Sequence, residues 1–207
     1  MIEPYYDRGG ITIYHGDCAE VMNQLGEFDL LLTDPPYGIE RFKKAFGTSR
    51  FYGHGCDKSG IEWDNKPSQE LFDAMLSMSK NAIVWGANNF KLPVSEYFLV
   101  WDKMQTVTNF ASAELAYTNI KCPARVYRFS IHQHNKTHKM HPTQKPVSLM
   151  RWCLGIAGDV STVFDPFMGS GTTLLACKLE GISCVGIERE EAYCEAAVKR
   201  LAQEVLF

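Results

Sequence analysis

Short apolar runs separated by helix-length amphipathic segments constrain the fold of this chain more than any other feature. Runs at 11–14, 29–33, 82–86, 97–101, 115–117, 126–129, 162–165 and 184–187 read as strands. Segments 18–25, 68–79, 146–156, 172–179 and 190–205 carry the apolar spacing of helices. Strands that alternate with helices join in parallel through crossovers, and those helices bury both faces of the sheet. The pattern therefore predicts an α/β domain with a mainly parallel sheet. The runs at 115–117 and 126–129 lie closer together and predict an antiparallel hairpin at one edge. At 207 residues and 45% hydrophobic, the chain suffices for one domain with a substantial core.

Composition narrows the class further. No apolar stretch approaches the eighteen or so residues a membrane span requires. The start, Met1 to Arg8, lacks a basic-then-apolar signal pattern, so a cytoplasmic protein is expected. Seven scattered cysteines, without a C-x-x-C pair, fit reduced thiols better than disulfides or a zinc site. A net charge of −3 argues against a general polyanion binder, but its distribution is uneven. Leu115 to Gly158 holds no acidic residue, while Arg41, Lys43, Lys44 and Arg50 cluster after Tyr37. Such local stripes suit a phosphate-tracking face.

Asp34-Pro35-Pro36-Tyr37 closes the run at 29–33. Both prolines fix φ and lack N–H donors, and Pro36 biases Pro35 toward an extended conformation. The backbone therefore offers acceptors to a cleft at a strand end. The Asp34 carboxylate and the Pro35 carbonyl can accept from an amino group, and Tyr37 can stack on the ring that carries it. A planar base with an exocyclic amino group fits this set.

The second motif runs Thr162-Val163-Phe164-Asp165-Pro166-Phe167-Met168-Gly169-Ser170-Gly171-Thr172-Thr173. It reads as strand, tight glycine turn and helix start, with Thr172 or Thr173 expected to cap the helix. Some twenty residues later, Glu188 ends another strand, where nucleotide-binding folds place the acid that accepts ribose hydroxyls. No Gly-Lys-Ser/Thr follows the glycines, which excludes a Walker loop, and Leu174 weakens a dinucleotide fingerprint. A nucleoside-type ligand is expected.

The two motifs together resemble the beta class of S-adenosylmethionine-dependent DNA amino-methyltransferases. His141-Pro142-Thr143-Gln144-Lys145-Pro146 and Gly16-Asp17-Cys18 resemble two further elements of that class, in family order. The resemblance implies a single Rossmann-like class I methyltransferase domain over 1–207, circularly permuted so that the catalytic half precedes the cofactor half. S-adenosylmethionine is the implied cofactor. By the same resemblance, Asp165 meets the methionine ammonium, and Phe167, Gly169, Ser170, Gly171 and Thr172 shape the turn. Glu188 holds the ribose and Asp17 the adenine, beside Cys18. Thr143 and Lys145 bind the methionine carboxylate. Asp34, Pro35, Pro36 and Tyr37 are catalytic, and Asp at the first position resembles the adenine-N6 subgroup.

Methylating an amino group in duplex DNA requires the base to be extruded. Without a separate target-recognition domain, contact with double-stranded DNA falls to loops 38–60 and 130–143. Arg41, Lys43, Lys44, Arg50, Lys136 and Lys139 are the candidate DNA-binding residues, interleaved with aromatics in the first loop. Four histidines between 130 and 143 lack a cysteine or carboxylate partner in that segment, so no metal is expected. A homodimer and a separate restriction endonuclease are open as partners. Cytosine N4, an RNA base, a protein amide and a non-catalytic DNA-binding module are the alternative readings.

Overall fold

The computed structural model describes residues 2–38, 66–105, 111–131 and 144–203. The strands are β1 (Tyr6–Arg8), β2 (Ile11–His15), β3 (Phe28–Thr33), β4 (Ser79–Trp85), β5 (Phe98–Asp102), β6 (Ala113–Thr118), β7 (Arg125–Arg128), β8 (Thr162–Asp165) and β9 (Ser183–Glu188). The helices are α1 (Cys18–Met22), α2 (Gln69–Ser77), α3 (Val147–Ala157), α4 (Thr172–Glu180) and α5 (Glu191–Ala202). One sheet runs β1-β2-β9-β8-β3-β4-β6-β5-β7. From β2 to β4 every pairing is parallel; β1 and β6 join antiparallel.

Strand alternation sorts the core into two layers. Leu30 and Leu32 of β3 face α3, α4 and α5, alongside Met150, Cys153, Leu174, Cys177 and Ala197. Leu31 between them faces α1 and α2, with Val21, Phe72 and Met75. All three leucines are fully buried, so truncating any of them to Ala costs about 2–5 kcal/mol. The α/β class with both faces covered is thus the observed one.

The edge differs from expectation. β6 and β7 do not pair; β5 lies between them, antiparallel to β6 and parallel to β7. Residues 119–124, with Pro123 among them, carry the chain past β5 instead of turning it back on β6. Proline cannot donate to a ladder, which disfavours a tight return there. β1 is an addition. Gly9 and Gly10, at φ 59° and 78°, make the two-residue turn that folds it onto β2. The cysteines among the described residues are free thiols, five of them buried.

Both motif strands end on the same side of the sheet, because β3 and β8 are parallel neighbours. The expected DNA-contacting loops fall almost wholly in 39–65 and 132–143, outside the described residues. So do Arg41, Lys43, Lys44, Arg50, Lys136, Lys139 and Thr143.

Candidate active site

A cavity of about 290 Å³ lies across the carboxyl ends of β3, β8 and β9. Asp34, Pro35, Pro36 and Tyr37 line one end, and Asp17, Gly169, Ser170 and Glu188 the other. Asp165, Lys145, Phe167, Thr172 and Cys18 also line it. Open parallel sheets bind ligands in this position, where strand order departs from chain order. β9 follows β8 toward one edge, whereas β4 follows β3 toward the other.

Backbone builds one end. Gly169 and Gly171 take φ values of 51° and 76°, the left-handed region where Cβ-bearing residues are strained. A Cβ on Gly171 would also come within 2.8 Å of the Ala197 side chain. Gly171 itself caps α4, so the expected cap by Thr172 or Thr173 is corrected. Those hydroxyls have other partners: Thr173 bonds Asp165, and Thr172 accepts from Arg200. Arg200, on α5, reaches under the turn and donates from one nitrogen to the Ser170 carbonyl at 2.6 Å and its hydroxyl at 3.2 Å. On the cavity side, the Ser170 hydroxyl donates to Gln144. Asp17 caps α1 through the Ala19 N–H at 2.8 Å, and Glu188 accepts from the Glu190 N–H at 2.8 Å. Burial raises the Glu188 carboxyl above its ordinary range, against several backbone N–H donors.

Asp165 is 3% exposed and joins the two motifs. Its Oδ1 accepts from the Thr33 hydroxyl at 2.8 Å and from the Phe167 N–H at 3.2 Å. Burial pushes its carboxyl up to about 6, against the donors that favour the charge.

Side chains build the other end. Asp34 Oδ1 accepts from the Tyr37 hydroxyl at 2.5 Å, and its Oδ2 from the Lys145 ammonium. Lys145, 5% exposed, is also 3.1 Å from Glu114 Oε2 and 3.3 Å from the Tyr37 hydroxyl. Sequence expectation placed Lys145 at a cofactor carboxylate; the structure places its ammonium between two protein carboxylates. Burial alone would depress this ammonium, but Asp34 and Glu114 hold it well above its usual range. Burial also raises the Asp34 carboxyl, opposed by Lys145. The Tyr37 hydroxyl is raised by burial and by Asp34. Its ring stands edge-on to Phe90 and close over Gly86, where a Cβ would come within 2.1 Å of it.

Glu114, Gln144 and Arg200 are site-building residues that sequence reading missed. Glu114 had a signal: on β6 it shares the inward face with the fully buried Ala116 and Thr118. Extending the strand two residues earlier would have revealed it as an inward-facing, partly buried acid. Arg200 had no such signal, since a basic residue in a last helical turn is ordinarily solvated.

The DNA methylase family profile matches residues 69–199, including β8, the glycine turn and Glu188. The chain belongs to the DNA methylase family. Among relatives of this methylase is the Type II methyltransferase M.ScaI of Streptomyces caespitosus, 27% identical over 98% of this chain and 84% of its own. M2.MboI of Moraxella bovis is 25% identical over 96% and 91%. Solved structures show the same fold. M1.HpyAVI, solved as a SAM complex, superposes with a TM-score of 0.59 at 23% identity, over 93% of the methylase and 100% of that chain. The cytosine-N4-specific PvuII methyltransferase gives 0.66 at 15% identity, over 99% and 91%.

Proposed function

We propose that the protein transfers a methyl group from S-adenosylmethionine to the N6 amino group of adenine in duplex DNA, after extruding the base. The observation that carries this reading is the single cavity joining the Asp34–Tyr37 acceptors to the glycine turn and Glu188. One wall set suits a nucleoside, the other an amino-bearing ring, and the shared space lets the two meet. The donor set fits S-adenosylmethionine. Glu188 offers a carboxylate for ribose hydroxyls, Asp17 an acceptor for an adenine amino group, and Asp165 and Asp34 negative charge for a cationic ligand. When bound, S-adenosylmethionine supplies an electrophilic methyl group on a sulfonium.

The residues of the chain then orient and accept. Asp34 retains acceptor capacity beyond the bonds from Tyr37 and Lys145, because a carboxylate has about four lone-pair positions. With the Pro35 carbonyl it can accept both amino hydrogens and direct the nitrogen lone pair along the cavity. Orientation of this kind supplies much of the rate in a direct displacement. Tyr37 provides an aromatic face for the extruded base, offsetting an unstacking cost of a few kcal/mol. Asp at the first tetrapeptide position supports adenine over cytosine.

Chain order, with β3 before β8, agrees with a circularly permuted methyltransferase. For DNA contact we assign Arg41, Lys43, Lys44, Arg50, Lys136 and Lys139. Their segments leave the described chain beside cavity-lining residues, after Tyr37 and Gly38 on one side and before Gln144 on the other. Their basic side chains supply the charge that phosphate binding needs.

The test incubates purified protein with labelled S-adenosylmethionine and unmethylated duplex DNA, followed by nucleoside mass spectrometry. N6-methyldeoxyadenosine, absent with Asp34→Ala, is the expected result. N4-methyldeoxycytidine would keep the chemistry and overturn the base assignment. Absence of any methylated nucleoside would overturn the reading.

A further inference from the structure

Behind the amino-accepting end of the cavity lies a line of charge, buried at Lys145 and partly buried elsewhere. Glu114 is not among the cavity-lining residues, yet it lies 3.1 Å from the Lys145 ammonium and pairs on its far side with Lys103. Lys145 in turn holds Asp34. Lys103, Glu114, Lys145 and Asp34 thus alternate in sign from beside β5, through β6 and the segment before α3, to the end of β3. Their side chains are between 5% and 20% exposed.

Alternation has a chemical consequence. An ammonium facing a single carboxylate directs its whole field and its best donors at that group. Shared between two carboxylates, its hold on each is weaker. Asp34 already accepts from Tyr37 at one oxygen and from Lys145 at the other. A tighter Lys145 would leave it a poor acceptor for a substrate amino group.

We infer that Glu114 is a positioning residue for methyl transfer: it shares Lys145 with Asp34, so that Asp34 keeps acceptor strength for the amino group. The inference rests on the function proposed above. Glu114 stays ionised in this role: burial opposes its charge, but Lys145 and Lys103 bring its carboxyl down to about 2. The groups facing Asp34 are Lys145, Glu114 and Tyr37, with Asp165 across from β8. Those facing Glu114 are Lys145 and Lys103.

Steady-state kinetics and the pH profile of kcat/KM, measured on wild type, Glu114→Gln and Lys103→Met, test it. Removing a negative charge near Asp34 favours its ionised form, so Glu114→Gln moves the acid limb to lower pH, by about one unit. Removing Lys103 leaves Glu114 less neutralised and moves that limb to higher pH. Glu114→Gln also lowers kcat about tenfold, while S-adenosylmethionine affinity by calorimetry stays within about twofold. A merely structural acid would lower thermal stability and leave both limbs in place; that result overturns the inference. Should Glu114→Gln fail to fold, Lys103→Met decides alone, and an unmoved or lowered limb overturns it. A wild type that methylates no DNA overturns the proposed function and this inference together. An active wild type with unresponsive variants overturns the inference alone.

Discussion

The two ends of the cavity are built by different means. At the glycine turn, shape comes from backbone: positive φ values, a helix start, and two residues of α5 pressed beneath. At Asp34, shape comes from side-chain charge gathered from four separate segments. Backbone-built sites are rigid and depend on what fits, whereas charge-built sites depend on what remains paired. Substitutions should therefore separate ligand binding from methyl transfer according to the end they touch.

Asp34→Ala is the strongest way to break this comparison. It removes the acceptor and leaves Lys145 with one carboxylate, so methyl transfer should fall by about a thousandfold or more. S-adenosylmethionine binding, followed by calorimetry, should change by no more than a few-fold. Equal loss of both would mean that the two ends are one unit.

Gly171→Ala attacks the other end. Left-handed φ and the approach to Ala197 together cost about 2–4 kcal/mol of stability, read as a lower thermal midpoint. Affinity for S-adenosylmethionine should drop at least about tenfold, because the turn can no longer hold its shape. Undiminished affinity would show that the turn is not the binding surface.

Arg200→Met sharpens the contrast at smaller scale. It removes the donor to the Ser170 carbonyl while keeping much of the side-chain volume. Loss of those hydrogen bonds, worth about 1–3 kcal/mol, should raise KM for S-adenosylmethionine about tenfold with kcat near wild type. A fall in kcat with KM unchanged would contradict the division of labour.

The smallest effect lies outside the cavity. Asp29 accepts from Lys80 and from the Ser161 and Thr162 N–H groups, and Lys80 leads in holding its carboxyl down to about 2. A depressed acid contributes stability above its unfolded pKa, and that contribution is lost as pH falls through the folded value. Asp29→Asn should thus lower the thermal midpoint slightly at neutral pH, with the difference closing toward pH 2. Cavity function should not change.

The same division explains what the sequence disclosed. A glycine turn announces itself in contiguous residues, because Gly169 and Gly171 are needed for φ values other residues resist. Asp34 to Tyr37 is equally contiguous, and the strand-helix alternation follows from apolar period alone. Glu114 and Arg200 are different: their roles depend on which distant atoms the fold brings near. The β6–β5–β7 order was hidden for a related reason, since hydrophobic period identifies strands but not their neighbours. Lys145 was expected beside a cofactor carboxylate, and its pairing with Asp34 and Glu114 was not legible, because both lie far away in sequence.

The β3–β8 seam carries a consequence for the newly made chain. Thr33 and Asp165, joined across that seam, are 132 positions apart. The tetrapeptide thus leaves the ribosome long before the strand that completes its surroundings, at about 5–20 residues per second. Until β8 docks, Asp34 lacks the neighbouring glycine turn, although Tyr37, Glu114 and Lys145 have already been made. Synthesis thus completes the cavity late, and a product ending before β8 lacks the glycine turn and Glu188 that line its other end.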